Sequence, residues 1–270
     1  MSSPYLAAIY IYPIKSLDRA SAALSDRIYL SQANILASGA LYGDREFAIF
    51  DLQGRFVNGK RNPKVHQIQS SYDLGRRIVS LQVRESKEKQ SFNLDTERRD
   101  IEAWLGNYFQ FPVRLEQNTV MGFPDDTNSP GPTIISTATL EAMTSWFPRL
   151  SIEELRLRFR ANLEIDGVPA FWEDRLFERE DRLVRFQIGD VSFLGVNPCQ
   201  RCIVPTRDAL TGESYSDFQK IFIAKRKETL PSWVDRSRFN HFYRLSVNTQ
   251  IPPSEAGKVL QIGDRIKVKS

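Results

Sequence analysis

The sequence predicts a β-rich α+β protein in two parts, and three observations lead there. Short runs of β-branched and aromatic residues, bounded by turn formers, recur at 5–12, 78–83, 112–115, 183–188, 191–196, 242–247 and 259–268. Helical spacing is confined to a few stretches, at 96–109, 136–143 and 216–230. The densest turn-forming run, 121–132, falls near the middle, and we place a domain boundary there, dividing 1–120 from 121–270. A chain of 270 residues can bury one large core or two modest ones.

Composition narrows the class of partner. Hydrophobic content of 41% and charged content of 26% belong to a soluble globular protein. The net charge of +4 arises from 37 basic and 33 acidic residues. They are interspersed, as in Arg98-Arg99-Asp100, which makes a solvated surface and not a nucleic-acid stripe. The basic balance keeps anionic ligands in play. No uncharged apolar run is long enough to span a bilayer, and the N-terminus shows no basic leader ahead of an apolar stretch. A cytoplasmic location is expected, and two cysteines suit a reducing compartment.

The first strand, 5–12, ends at Pro13 and is followed by Lys15-Ser16 in a turn. By composition alone Lys15 is a surface lysine. Residues 44–57 read as a hairpin with Gly54 in its connection, and Arg45 stands at the entry to it. An exposed ion pair with Asp44 or Glu46 is the ordinary reading of that arginine. A basic loop at 60–64 offers Lys60 and Arg61 as supplementary cations. In 96–109 the spacing puts Ile101, Trp104, Leu105 and Tyr108 on one helical face. After the boundary, a short strand at 133–135 enters a helix opened by Ser136-Thr137. Those hydroxyls either cap the helix or join its free amides in binding an anion. Alternation over 155–165 reads as a strand with Leu155, Leu157, Phe159, Ala161, Leu163 and Ile165 on one face and Arg156, Arg158, Arg160, Asn162 and Glu164 on the other. Such a face is either a solvated edge or a row of arginines kept together by an anion. Glu173 and Asp174, in a loop before the next strand, are candidates for delivering a proton.

Both thiols lie in Cys199-Gln200-Arg201-Cys202, at the end of the strand 191–196. A structural zinc site needs four ligands, and His66 and His241 are distant in sequence. A thioredoxin-like pair should open a helix, which Ile203-Val204-Pro205 opposes. A buried structural pair would want apolar neighbours, whereas Arg201, Thr206, Arg207 and Asp208 are polar. What remains is a soft ligand beside cationic donors, and a cationic neighbour favours the thiolate that binds metals.

Together with Pro198, Ile203, Thr206, Asp208 and Thr211-Gly212, this segment resembles the signature of the MOSC domain family, in particular the branch of the mitochondrial amidoxime-reducing component. Arg158-Phe159-Arg160-Ala161-Asn162-Leu163 is similar to the Arg-Phe-Arg-Pro-Asn-Ile of that family, with Ala161 in place of the proline, and Lys15-Ser16 and Asp44-Arg45 agree in order. The resemblance implies an N-terminal β-barrel domain followed by a MOSC β-barrel domain with peripheral helices. It implies a molybdenum cofactor (Mo-molybdopterin) with Cys202 as the molybdenum ligand and catalytic residue. Lys15, Ser16, Arg45, Ser136, Thr137, Arg160, Asn162 and Arg201 are implied to hold the pterin and its phosphate. The implied activity is reduction of N-hydroxylated small molecules, with electrons from a separate donor of ferredoxin or cytochrome-b5/flavoprotein type, because two cysteines leave none for an iron–sulfur cluster. The mitochondrial members carry a membrane anchor, which is not expected here. A non-catalytic carrier of the cofactor, or of sulfur as a persulfide on Cys202, is the alternative. A redox or zinc protein using both cysteines is a third, and Cys199 is either structural or a neighbour that tunes the ligand.

Overall fold

The computed structural model describes residues 3–17 and 28–268; the first two residues of the stretch read for a leader lie outside them. The opening strand, β1 (Tyr5–Ile11), carries Leu6, Ile9 and Ile11 into a core and stops short of Pro13, which has no N–H for a ladder. Two short strands follow, β2 (Ile28–Leu30) and β3 (Gln32–Asn34).

The first half then builds a core of its own. β4 (Phe47–Asp51) opens the expected hairpin, with Gly54 at φ 73 in its turn. The return is a single bridge from Phe50 to Phe56. β5 (Ile68–Asp73), β6 (Ile78–Val83) and β7 (Lys89–Asn93) form an antiparallel meander. The amphipathic helix α1 (Arg98–Phe109) buries Ile101, Leu105 and Phe109 against this core, each contributing on the order of 2 kcal/mol. β8 (Val113–Gln117) closes the half by pairing with β4.

Beyond the turn-rich linker come β9 (Ile134–Ser136), α2 (Thr137–Thr144), α3 (Ile152–Phe159) and β10 (Leu163–Asp166). A hairpin follows, β11 (Val184–Ile188) and β12 (Val191–Gln200), and then α4 (Phe218–Thr229), β13 (Arg244–Gln250), β14 (Val259–Gln261) and β15 (Ile266–Val268). The large sheet has the order β15-β11-β12-β13-β9-β10-β1-β2. A bridge between Tyr5 and Arg265, with the Leu6 amide donating to the Asp264 carbonyl at 2.9 Å, brings its two ends together into a nearly closed barrel. Ile134, Leu163, Ile165, Val191, Phe193 and Val247 fill it. Outside, α3, α4 and the turn that follows α2 pack through aromatic rings, Phe147 of that turn stacking on Phe218 at 4.2 Å.

β8 ends at Gln117 and β9 begins at Ile134, so the residues around 120 lie between these two strands. β1 and β2 nevertheless belong to the barrel of the second half, and β3 pairs with β14. The chain therefore crosses between the two cores at each end of the first half.

One expectation is corrected. Residues 155–165 do not form a single strand: helix α3 runs to Phe159, Arg160 turns the chain at φ 51, and β10 starts at Leu163. The deciding signal is local. Ser151 accepts from the Glu154 amide at 3.2 Å while the Glu154 carboxylate accepts from the Ser151 amide at 2.9 Å, a reciprocal capping box that starts a helix before the alternation begins. Ser151→Ala is expected to lower stability by about 1 kcal/mol, read from the urea midpoint. An unchanged midpoint would mean that the cap does not hold this helix.

Candidate functional site

The cysteines are placed by β12 and by an irregularity in its pairing with β13. Pro198 pairs with Val247 and Gln200 with Arg244, so the extra residue lies on β13, where Ser246 adopts φ 67. The bulge bends β13 opposite Cys199, and β12 ends at Gln200, just ahead of Arg201 and Cys202. Cys199 is half-buried and Cys202 exposed, and both are free thiols. A short 3-10 turn, Val204–Thr206, then folds the chain back, with the Thr206 hydroxyl donating to the Ile203 carbonyl at 2.7 Å.

Three guanidinium groups converge here from separate elements. Arg201 donates to Cys199 Sγ at 3.4 Å and to the Phe159 carbonyl at 2.7 Å, tying the cysteine loop to the end of α3. Arg160, presented by the left-handed turn after α3, lies 4.7 Å from the centre of the Tyr12 ring. Arg45, also at positive φ, approaches the same ring at 5.9 Å. Its partner is Asp44, whose carboxylate accepts from Arg45 and from the Tyr12 amide, both at 2.9 Å. Asp44 is buried and Arg45 largely so, not exposed as the ordinary reading had it, while Glu46 pairs with Arg77. Desolvation pushes Arg160 down to about 10, and the charge of Arg201 adds to the effect while Tyr12 and Cys202 oppose it. The guanidinium stays protonated at neutral pH, in a place where a further anion would be welcome.

Lys15 is buried, and desolvation lowers its pKa. Its ammonium donates to the carbonyls of Phe123 and Pro124 at 2.8 and 3.2 Å and to Asp125 at 2.7 Å. Ser16 sits beside it at φ 73. Arg158 lies under the loop, donating to the carbonyls of Pro205 and Arg207. The basic loop at 60–64 leaves Lys60 and Arg61 exposed, while His66 behind it packs under Gly212 of the segment after the cysteines.

The remaining candidates have other partners. Ser136 is fully buried and accepts from the Thr139 amide at 3.1 Å, so capping accounts for it. Thr137 donates to Glu164 at 2.8 Å, and Glu164 is held by Arg156. Asn162 is buried with its amide donating to the Tyr10 carbonyl at 3.1 Å and its oxygen accepting from the Thr133 amide at 3.2 Å. Its side chain joins β1 to the entry of β9. The three arginines of 155–165 do not line one face: Arg156 meets Glu164, Arg158 is buried, and Arg160 faces Tyr12. Glu173 and Asp174 are buried too, the first accepting from Thr139 at 3.0 Å and the second paired with Arg226.

Three participants had no signal in the sequence. Asp125 stands among turn formers, Tyr12 looks like any strand aromatic, and Tyr243 is an ordinary residue of the strand run at 242–247. Tyr243 is buried, its hydroxyl has no hydrogen-bond partner, and burial raises its pKa, with the nearby Cys202 acting in the same direction. Buried Nε of Arg201 is likewise unpartnered. Buried donors left open beside an exposed thiol fit an additional group with acceptor atoms and a soft metal. Among the described residues no group of three or more His, Cys, Asp and Glu side chains is placed to hold a metal ion, so a metal at Cys202 would depend on ligands brought with it.

Residues 3–111 match the family described as the MOSC N-terminal beta barrel domain, and residues 133–267 match the MOSC domain. Among curated proteins, the chain is similar to molybdenum cofactor sulfurase of Homo sapiens, 26% identical over 261 residues. The similarity covers 79% of this chain and 28% of the sulfurase, so the chain spans less than a third of that relative. Among the described residues no helix is long and apolar enough to cross a membrane.

Proposed function

The chain belongs to the MOSC domain family, and from that premise we propose that it holds a molybdenum cofactor at the cysteine loop and reduces N-hydroxylated small molecules. The observation that carries this reading is the exposed thiol of Cys202 on a loop whose Arg201 donates to Cys199, with Arg160 close enough to feel the Cys202 charge and Arg45 sharing the Tyr12 ring with Arg160, a soft ligand beside donors for an anion. Cys202 would ligate the metal. Arg160 and Arg201, with Arg45 behind them, would hold the pterin and its phosphate by charge-assisted hydrogen bonds, which are stronger than neutral ones. Lys15 and Ser16 stand at the edge of the same site. Asn162, Ser136 and Thr137 would act from behind, by fixing β1, β9 and α2. When bound, the cofactor supplies a metal that exchanges two electrons. The overall conversion breaks the N–O bond, taking two electrons and two protons to give the reduced nitrogen and one water. The electrons come from a separate donor protein of ferredoxin or cytochrome-b5/flavoprotein type, and a reducing cytoplasm would keep both thiols free.

The test uses protein from a host that makes the cofactor. The parent should carry near-stoichiometric molybdenum and convert benzamidoxime to benzamidine with a reduced viologen dye as electron source. Cys202→Ala should lose metal and turnover by more than the about 10- to 100-fold typical of outer-shell partners, and Cys199→Ala should lose less. Equal losses in the two variants would move the chemistry to both thiols. Zinc without molybdenum in the parent would sink the reading.

The exposure of Cys202 and the name of the human relative favour a second reading, a carrier that hands on the cofactor or a persulfide sulfur. Rapid transfer to an enzyme lacking cofactor, with no benzamidoxime turnover, would decide for it.

A further inference from the structure

The linker between the two halves inserts a carboxylate into the cationic cluster. Lys15 has three N–H donors and three acceptors, all from the linker: the Phe123 and Pro124 carbonyls and Asp125 Oδ1. Two of these belong to the backbone. The Asp125 carboxylate is the one that can leave, because its side chain is 80% exposed while that of Lys15 is 9% exposed.

The segment around Asp125 is held on both sides. Before it, the Phe123 amide donates to the Arg45 carbonyl at 2.9 Å and the Phe123 ring packs on Phe50 and Phe56. Gly122 lies so close to the backbone of Asp44 that a Cβ would stand 2.6 Å from its carbonyl oxygen. After it, Gln250 donates to the Asn128 carbonyl at 2.7 Å and the Gly131 amide to that of Thr249 at 3.1 Å. Asp125 is thus presented to the site by an anchored loop. The charges of Arg45, Lys15 and Arg201 hold the carboxyl below the usual carboxylate range, so it is an anion at neutral pH.

We propose that Asp125 occupies the place of the phosphate of the ligand, and that a phosphate monoester binds by displacing its carboxylate from Lys15. This rests on the anion-binding reading above and adds the residue that controls it. With Asp125 in place, the cluster retains Lys15 without a ligand and resists weakly charged anions. A phosphate dianion, carrying more charge and more acceptor oxygens than a carboxylate, can take over Lys15 and reach Arg45 and Arg201.

The probe is phenyl phosphate, titrated calorimetrically into the full chain made in a host lacking the cofactor. Asp125→Asn keeps size and removes the charge, and its Kd should be lower than that of the parent by about 10-fold. Glu88→Gln removes the same charge from an exposed turn of the first half and should change Kd by less than about 2-fold. Combining Asp125→Asn with Lys15→Ala should abolish most of the gain. A Kd unchanged or raised by Asp125→Asn, or an equal gain from Glu88→Gln, overturns the proposal. Binding of phenyl phosphate to none of the proteins overturns it as well, and the molybdenum content of the parent decides separately whether the cofactor reading stands.

Discussion

Arg226→Ala is expected to destabilise the protein by about 3–5 kcal/mol at neutral pH, the usual consequence of leaving one member of a buried pair alone. Arg226 is fully buried on α4, paired with Asp174 and flanked by the rings of Phe171 and Phe239 at 4.7 and 5.1 Å. Its Nε donates to the Arg244 carbonyl, and Arg244 in turn donates to the Pro198 carbonyl ahead of the cysteines. The effect should also depend on pH. Desolvation pushes the Asp174 carboxyl up to about 6 even though Arg226 opposes it, while the unfolded chain has an ordinary carboxyl near 3.9. Folding therefore takes up a proton between about pH 4 and pH 6, and stability from this group is lost as pH rises through that window, by at most ~3 kcal/mol. Removing Arg226 removes the opposing charge and extends the window upward. The difference in urea stability between parent and variant should grow from pH 5 to pH 8. A difference constant over that range would mean that Asp174 does not carry it.

Gly195→Ala should be at least as damaging. Gly195 lies in β12 opposite Val184 of β11 and Thr249 of β13, so neighbours on both sides fix its backbone. A Cβ there would stand 1.6 Å from the Leu176 carbonyl oxygen, an overlap with main chain that no rotamer change relieves. The expected loss exceeds about 3 kcal/mol, beyond ordinary overpacking, and soluble yield should fall with it. Since β12 carries Cys199, any folded fraction should also show altered thiol reactivity. Parent-like stability would mean that the segment around Leu176 yields more readily than its buried position indicates.

Neither effect is visible in a linear reading, and the candidate site shows the same division. Strong local periodicity located α1, α4, β6 and the strand that leads to the cysteines, because burial on one face is written at fixed spacing. Four dispersed motifs agreeing in order pointed to the family, and the local sequence around Cys202 placed it at a strand end. Where two periods competed, over 155–165, alternation of Leu and Arg suggested a strand, although Ser151 and Glu154 had already committed the chain to a helix.

By itself, then, the sequence determined the family, the β-rich class and the position of the thiol. The tertiary structure alone decided which polar groups face the site. Asn162 turns to the Tyr10 carbonyl, 152 positions away, and Lys15 meets Asp125 across 110. Whether a side chain is open to a ligand or already satisfied depends on partners supplied from such distances, and local spacing carries no information about them.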